Sequence, residues 1–246
     1  MGEERPAKRL LGGAIRRLLS AAWNGGPDPA AEEFLRHRRH FHAALPDGPL
    51  AAQHYVVFDL EATGLKPSHG DVMIAIGAVR LRNLEIVDRF ETLVDPGRPI
   101  PPRSTRYHGI TDAMVAGSPP PPAAVAAFAA FAEGAVLVAH NAGFDRTLLH
   151  MAEFAGAPPI PNPVLCSLAV SHWLDPEEAD HSLDGLCARA GIVIARRHAA
   201  LGDAEATAEL WRRLIARAAA RGVEHLPELV RRTGMERFVS QMSEAF

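Results

Sequence analysis

The chain has 246 residues, 48% of them hydrophobic and 22% charged, enough to bury one full core with residues left for an appendage. Its 26 basic and 29 acidic residues leave a net charge of −3, which excludes a broadly basic nucleic-acid coat but allows an enzyme that meets nucleic acid locally. Cys166 and Cys187 form no CxxC, which argues against a disulfide framework or zinc knuckle and fits a reducing cytoplasm.

No stretch approaches the roughly 18 apolar residues of a membrane span. Arg16 and Arg17 interrupt the N-terminal apolar run, which argues against a secretory leader, so a cytoplasmic location is expected. Within residues 6–23, Leu10, Leu11, Ile15, Leu18, Leu19 and Trp23 recur at helical spacing, with Lys8, Arg9, Arg16 and Arg17 largely opposite. Such a helix either packs on its own domain or meets an anionic surface or a partner. Residues 24–30 (NGGPDPA) read as a linker, 32–45 as a second helix dense in Arg and His, and 46–50 as a break. Residues 1–50 are therefore expected to be a helical extension, 51–220 the main domain and 221–246 a helical tail.

From His54 the pattern changes. HYVVFDL reads as a buried strand, and residues 72–81 and 86–94 as a β-hairpin across an Asn-containing turn. Residues 95–111 read as a Pro-rich loop, and those near 122–133 as an Ala/Phe-rich helix. Strand AVLVAH precedes a helix at 144–156, ended by Gly156. A short strand VLCSL, a helix at 182–192 and a long helix at 202–220 complete the order. The expectation is an α/β domain whose mixed sheet begins as an antiparallel meander and continues in βα units.

Three stretches carry four carboxylates and a histidine. Asp59 and Glu61 are two apart at a strand end, so both side chains project to one face. Asp145 opens a helix after a strand, beside His140 and Asn141 in a β–α crevice of the kind that takes ligands. His198 and Asp203 flank the start of the last long helix. Singly these read equally well as solvated acids, a helix-dipole partner, a surface His and a helix cap. Together they suit two hard divalent cations with oxygen ligands. Such a pair, about 4 Å apart, clamps the attacking and leaving oxygens of a phosphodiester, and a neutral His takes the proton of the attacking water. No Gly-Lys-Thr/Ser phosphate loop points to an NTPase.

At these residues the chain resembles the DEDDh, or DnaQ-like, family of 3′→5′ exonucleases. Asp59-Leu60-Glu61-Ala62-Thr63-Gly64 is similar to the family's D-x-E-x-T-G, and His140-Asn141-Ala142-Gly143-Phe144-Asp145 to its H-N-x-x-F-D. His198 and Asp203 are similar to its final His and Asp, and HGIT at 108–111 and residues 181–192 to further family segments. The resemblance spans about residues 54–215. It implies a ribonuclease-H-like, five-stranded mixed sheet flanked by helices. It further implies that Asp59, Glu61, Asp145 and Asp203 hold two Mg²⁺ or Mn²⁺ ions, with His198 as general base. Thr63, Leu65, His108 and Asn141 would then line the pocket for the 3′-terminal nucleotide.

Nucleic acid 3′ ends are the expected partner. The charge balance favours short or single-stranded ends. The resemblance puts DNA ahead of RNA, although DNA- and RNA-acting members share these motifs. The alternatives are an RNA-trimming relative or a non-catalytic polymerase-accessory protein; HNAGFD and HAALGD disfavour a ribonuclease-H-type endonuclease. Gln241–Phe246 resembles the sliding-clamp-binding sequence of polymerase III proofreading subunits, departing at Glu244. Oligomeric state is left open.

Overall fold

A computed structural model describes residues 29–39 and 44–244. Strand β1 (Tyr55–Ala62) is buried along almost its whole length. It reads as a continuous apolar run because helices cover both of its faces. Strand β2 (Met73–Arg82) pairs with it antiparallel, and β3 (Glu85–Leu93) pairs with β2 antiparallel. The β2–β3 turn places Asn83 and Leu84 both at positive φ, 49° and 64°, the conformation whose twist suits a two-residue hairpin. Strand β3 forms one edge and exposes Glu85, Asp88, Arg89 and Glu91, charges that discourage pairing with another chain. Strands β4 (Val136–Ala139) and β5 (Val164–Cys166) continue parallel from β1, so the order is β3-β2-β1-β4-β5. This is the expected meander followed by βα units.

The helices are α1 (Pro29–Arg39), α2 (Pro102–His108), α3 (Asp112–Val115), α4 (Pro121–Phe131) and α5 (Ala142–Phe154). They continue with α6 (Ser167–Leu174), α7 (Leu183–Ala190), α8 (Ala200–Ala220), α9 (Leu226–Thr233) and α10 (Met235–Glu244). Alternation along β1 sorts them. Tyr55 meets Trp211 of α8 edge-on at 5.7 Å, whereas Phe58 meets Phe128 of α4 at 5.2 Å. Odd-numbered β1 residues therefore face α8 and even-numbered ones the opposite layer. Asp59 and Glu61 are odd, which turns them toward the start of α8.

Three expectations need correction. Residues 102–108, read as loop, form α2, with Pro102 at the first helical position, where its missing N–H costs nothing. Gly109 closes the helix at φ 76°. Strand VLCSL stops at Cys166, and Ser167 begins the unanticipated α6. The helix expected over 32–45 is displaced: α1 begins at Pro29 and ends at Arg39, residues 40–43 lie outside the described residues, and Ala44 and Leu45 are not helical. Ala31 and Leu35 of α1 pack on Met151 of α5. The first amphipathic segment, 6–23, lies outside the described residues.

Helices α9 and α10 are tied into the main core through Leu226, Leu229, Met235 and Val239. The Leu50 N–H donates to Glu224 O at 2.7 Å, which anchors the start of the domain to its end. No described helix is long and apolar enough to cross a membrane.

Candidate active site

The site forms where β1 leaves the sheet. Asp59 lies opposite Gly77 of β2 and Glu61 opposite Ala75, and the register slips just beyond, between Glu61 and Ala62. A bulge there bends the strand away from β2. Gly77 is required by a close approach, since a Cβ on it would lie 2.0 Å from the Leu201 backbone N. Only glycine lets the first turn of α8 rest on the sheet at this point. Gly202 admits the loop before α8 just as closely, since its Cβ would lie 2.2 Å from Arg196 O. The two glycines bring Asp203 over β1. One oxygen each of Asp59, Glu61 and Asp203 fall within 4.8 Å of one another.

Asp145 enters from the other side of β1. The β1–β4 ladder runs from Tyr55 to Val57. Further along, the Leu60 N–H donates to Asp145 Oδ1 at 3.1 Å. Asn141, in the left-handed conformation at φ 61°, caps the turn into α5, and its side-chain Oδ1 is buried with no partner among the described residues. Asp145 thus sits at the carboxyl end of β4, where the sheet changes from antiparallel to parallel neighbours.

The third segment folds tightly. His198 takes φ 60°, and its N–H donates to Asp203 Oδ2 at 3.2 Å. The expected capping role of Asp203 is refined: Ala199 occupies the cap, and Asp203 bonds back to the preceding loop from the first turn. The His198 ring lies 3.9 Å from that of Tyr107 on α2. Arg197 Nη1 forms an ion pair with Asp203 Oδ2. The rest of the guanidinium forks onto Asp184 of α7 at 2.8 and 3.0 Å.

Burial raises the protonation of all four acids, and crowding by like charges adds to it at Asp59 and Glu61. Burial, then the fields of Asp145, Glu61 and Asp203, hold the Asp59 carboxyl well above its usual range, against the pull of Arg197. Burial and then Asp203 push Glu61 up to about 8. Burial pushes Asp145 up to about 8 despite its backbone hydrogen bonds. Asp203 is raised by burial, with Arg197 opposing. His198 is lowered, by burial first and by Arg197 second, so its imidazole is neutral near pH 7.

The acids open into a cleft of about 740 Å³ lined also by Leu65, Tyr107, His108, His140, Asn141 and His198. Leu65 and Tyr107 are 73% and 64% exposed at its mouth. His108 Nδ1 accepts from the Ile110 N–H at 3.0 Å. Thr63 is placed differently from its neighbours. It is buried, and its hydroxyl donates to Asp71 Oδ1 at 3.0 Å and accepts from the Val72 N–H at 3.0 Å. It braces the loop behind the cleft wall.

Sequence reasoning passed over Asp71, Tyr107 and Arg197. Asp71 also accepts from the Lys66 N–H at 2.9 Å, and so fixes the loop that presents Leu65; no periodicity marks it. Tyr107 and Arg197 had a positional signal, since each directly precedes a motif histidine.

The donor set tests well against hard cations. Three carboxylates converge, and Asp203 Oδ1 is buried with no partner among the described residues, an arrangement that repels itself unless a cation or protons intervene. The mixed sheet and strand-end acids define the ribonuclease-H-like class of α/β nucleases. Residues 56–211 match the family model described as Exonuclease, and the chain belongs to that family.

The chain is 48% identical over 185 residues to the DNA polymerase III subunit epsilon-like protein of Rhodobacter capsulatus, covering 74% of this chain and 26% of the relative. It is 37% identical over 182 residues to the DNA polymerase III PolC-type protein of Halalkalibacterium halodurans, covering 74% of this chain and 13% of the relative. The chain thus spans only a minor part of the length of these curated relatives. Among solved structures it is similar to Exonuclease X in complex with 5′ overhanging duplex DNA, with a TM-score of 0.55 and 28% identity over 68% of this chain and 93% of that one. The nuclease domain of 3′hExo, a DEDDh family member bound to rAMP, shares the fold at a TM-score of 0.61 and 17% identity, over 69% and 94% of the two chains.

Proposed function

We propose that the chain is a metal-dependent 3′→5′ exonuclease that removes nucleotides from the 3′ ends of DNA, in proofreading or repair. The observation that carries this reading is the convergence of Asp59, Glu61 and Asp203 within 4.8 Å at the floor of a cleft whose size suits a terminal nucleotide. Asp59, Glu61, Asp145 and Asp203 are assigned to two divalent cations, Mg²⁺ or Mn²⁺. Bound there, such ions supply an activated water and stabilise charge on the scissile phosphate.

His198, held neutral by burial and braced by Tyr107, would accept the proton of the attacking water. Leu65, exposed at the mouth, packs on the terminal base, while His108 and Asn141 line the wall beside the sugar. Thr63 acts through Asp71 by holding the Leu65 loop.

Preference for DNA is supported by the 28% identity to Exonuclease X, whose solved complex contains duplex DNA. Association with a replicative polymerase is supported by the names of the relatives. Sliding-clamp binding by Gln241–Phe246 would require the last turn of α10 to open, because that helix runs to Glu244. Clamp capture by the full chain and by one ending at Ser240 tests it.

Competition between 5′-labelled single-stranded DNA and RNA of one sequence, with Mg²⁺, tests the main proposal. DNA should shorten first. Faster loss of RNA would favour the RNA-trimming reading. Binding without shortening in either Mg²⁺ or Mn²⁺ would favour the non-catalytic accessory.

A further inference from the structure

A cation is already built into the acid cluster, at a position the motif spacing does not specify. Arg197 joins two very different carboxylates. The side chain of Asp203 is 4% exposed and is met by one guanidinium nitrogen. That of Asp184 is 60% exposed and is gripped by two, at 2.8 and 3.0 Å. Asp184 stands in the first turn of α7, away from the β1 acids. The field of Arg197 reaches Asp59 and Glu61, where it opposes the mutual repulsion of the acids. The fork geometry matters: a planar guanidinium can give up one bond to Asp203 and keep both to Asp184.

We propose that Arg197 is a placeholder cation, neutralising the cluster before a divalent ion arrives, then releasing Asp203 to that ion while Asp184 retains the guanidinium at the cleft wall. This rests on the metal-binding reading above and extends it by making Arg197 and the metal competitors for one ligand. It also gives Asp184 a positioning role without contact to the reacting atoms. An acid cluster left with no cation repels itself. Arg197 keeps it assembled, and metal binding is weakened in exchange.

The test is calorimetric titration of Mn²⁺ alone into the full chain, wild type against Arg197→Gln and Asp184→Asn, with melting curves in EDTA and in saturating Mn²⁺. Removing a unit charge a few ångströms from the ion should tighten Mn²⁺ binding about tenfold in Arg197→Gln. Its Tm should fall below wild type in EDTA, and the gap should close with Mn²⁺. Asp184→Asn changes only an exposed residue. It should weaken Mn²⁺ binding about two- to fivefold, because Arg197 then has Asp203 as its remaining acidic partner.

Unchanged or weaker Mn²⁺ binding by Arg197→Gln, or an equal Tm deficit in both conditions, overturns the proposal. So does unchanged or tighter binding by Asp184→Asn. A wild-type chain that binds no Mn²⁺ refutes the metal reading itself, and this inference with it.

Discussion

At the residue scale, the two oxygens of Asp203 live in different company. Oδ2 receives Arg197 and the His198 N–H, while Oδ1 is buried with no partner among the described residues. One carboxylate therefore links the proposed general base, Arg197 and the proposed metal ligands. His198 gains its orientation from this link and from Tyr107, so His198→Ala should lower kcat about 10²–10⁴-fold with little change in KM. Single-turnover rates on a DNA oligonucleotide check this, and an unchanged rate removes the role.

The acids also set a pH dependence. Glu61 is raised from 4.5, and Asp145 from 3.8, to about 8. A carboxyl with a raised folded-state pKa stabilises the fold below its unfolded pKa, and that stability is lost as pH rises through the folded value. The metal-free Tm should therefore fall between about pH 4 and pH 8. Saturating Mn²⁺, which takes the place of the protons, should remove most of the fall. A metal-free Tm that rises steadily over this window contradicts the electrostatic account.

At the scale of elements, β1 and the first turn of α8 meet through Gly77. A methyl there must push Leu201 back. Gly77→Ala should cost about 1–3 kcal/mol by overpacking and should lower activity by more than that loss of folded protein explains, because Asp203 retreats with the turn. Urea melts paired with specific activity per folded molecule separate the two effects.

The same junction shows what could be read in advance. Alternation in β1 and the Asp59–Glu61 spacing located the site, because a period of two fixes a face without tertiary knowledge. The position of Asp203 relative to β1 also depends on a Gly77 contact between distant segments, which no local pattern carries. Helix α2 escaped because Pro101 and Pro102 were read as loop formers, although Pro at a first turn followed by Gly109 is also a helix boundary signature. Helix α6 escaped because SLAVSHWL follows a β-rich run with no breaker between them. Thr63 matched its motif, but its hydroxyl is committed to Asp71, a partner eight residues away.

At the scale of the molecule, one core runs from Leu50 through the sheet to Val239, and the acids sit at one edge of it. Replacing Trp211, which packs edge-on against Tyr55 beneath α8, should show whether the site depends on that core. Trp211→Ala should cost about 3–5 kcal/mol, read from denaturant unfolding, and Mn²⁺ should recover part of it by binding the folded state alone. The central claim is that these acids bind metal to cut nucleic acid one residue at a time from its 3′ end. A gel time course on 5′-labelled single-stranded DNA with Mn²⁺ tests it most directly. The account predicts a ladder descending in single-nucleotide steps, absent in EDTA and in Asp59→Asn. A lone internal fragment, or a ladder that survives EDTA and Asp59→Asn, would contradict it.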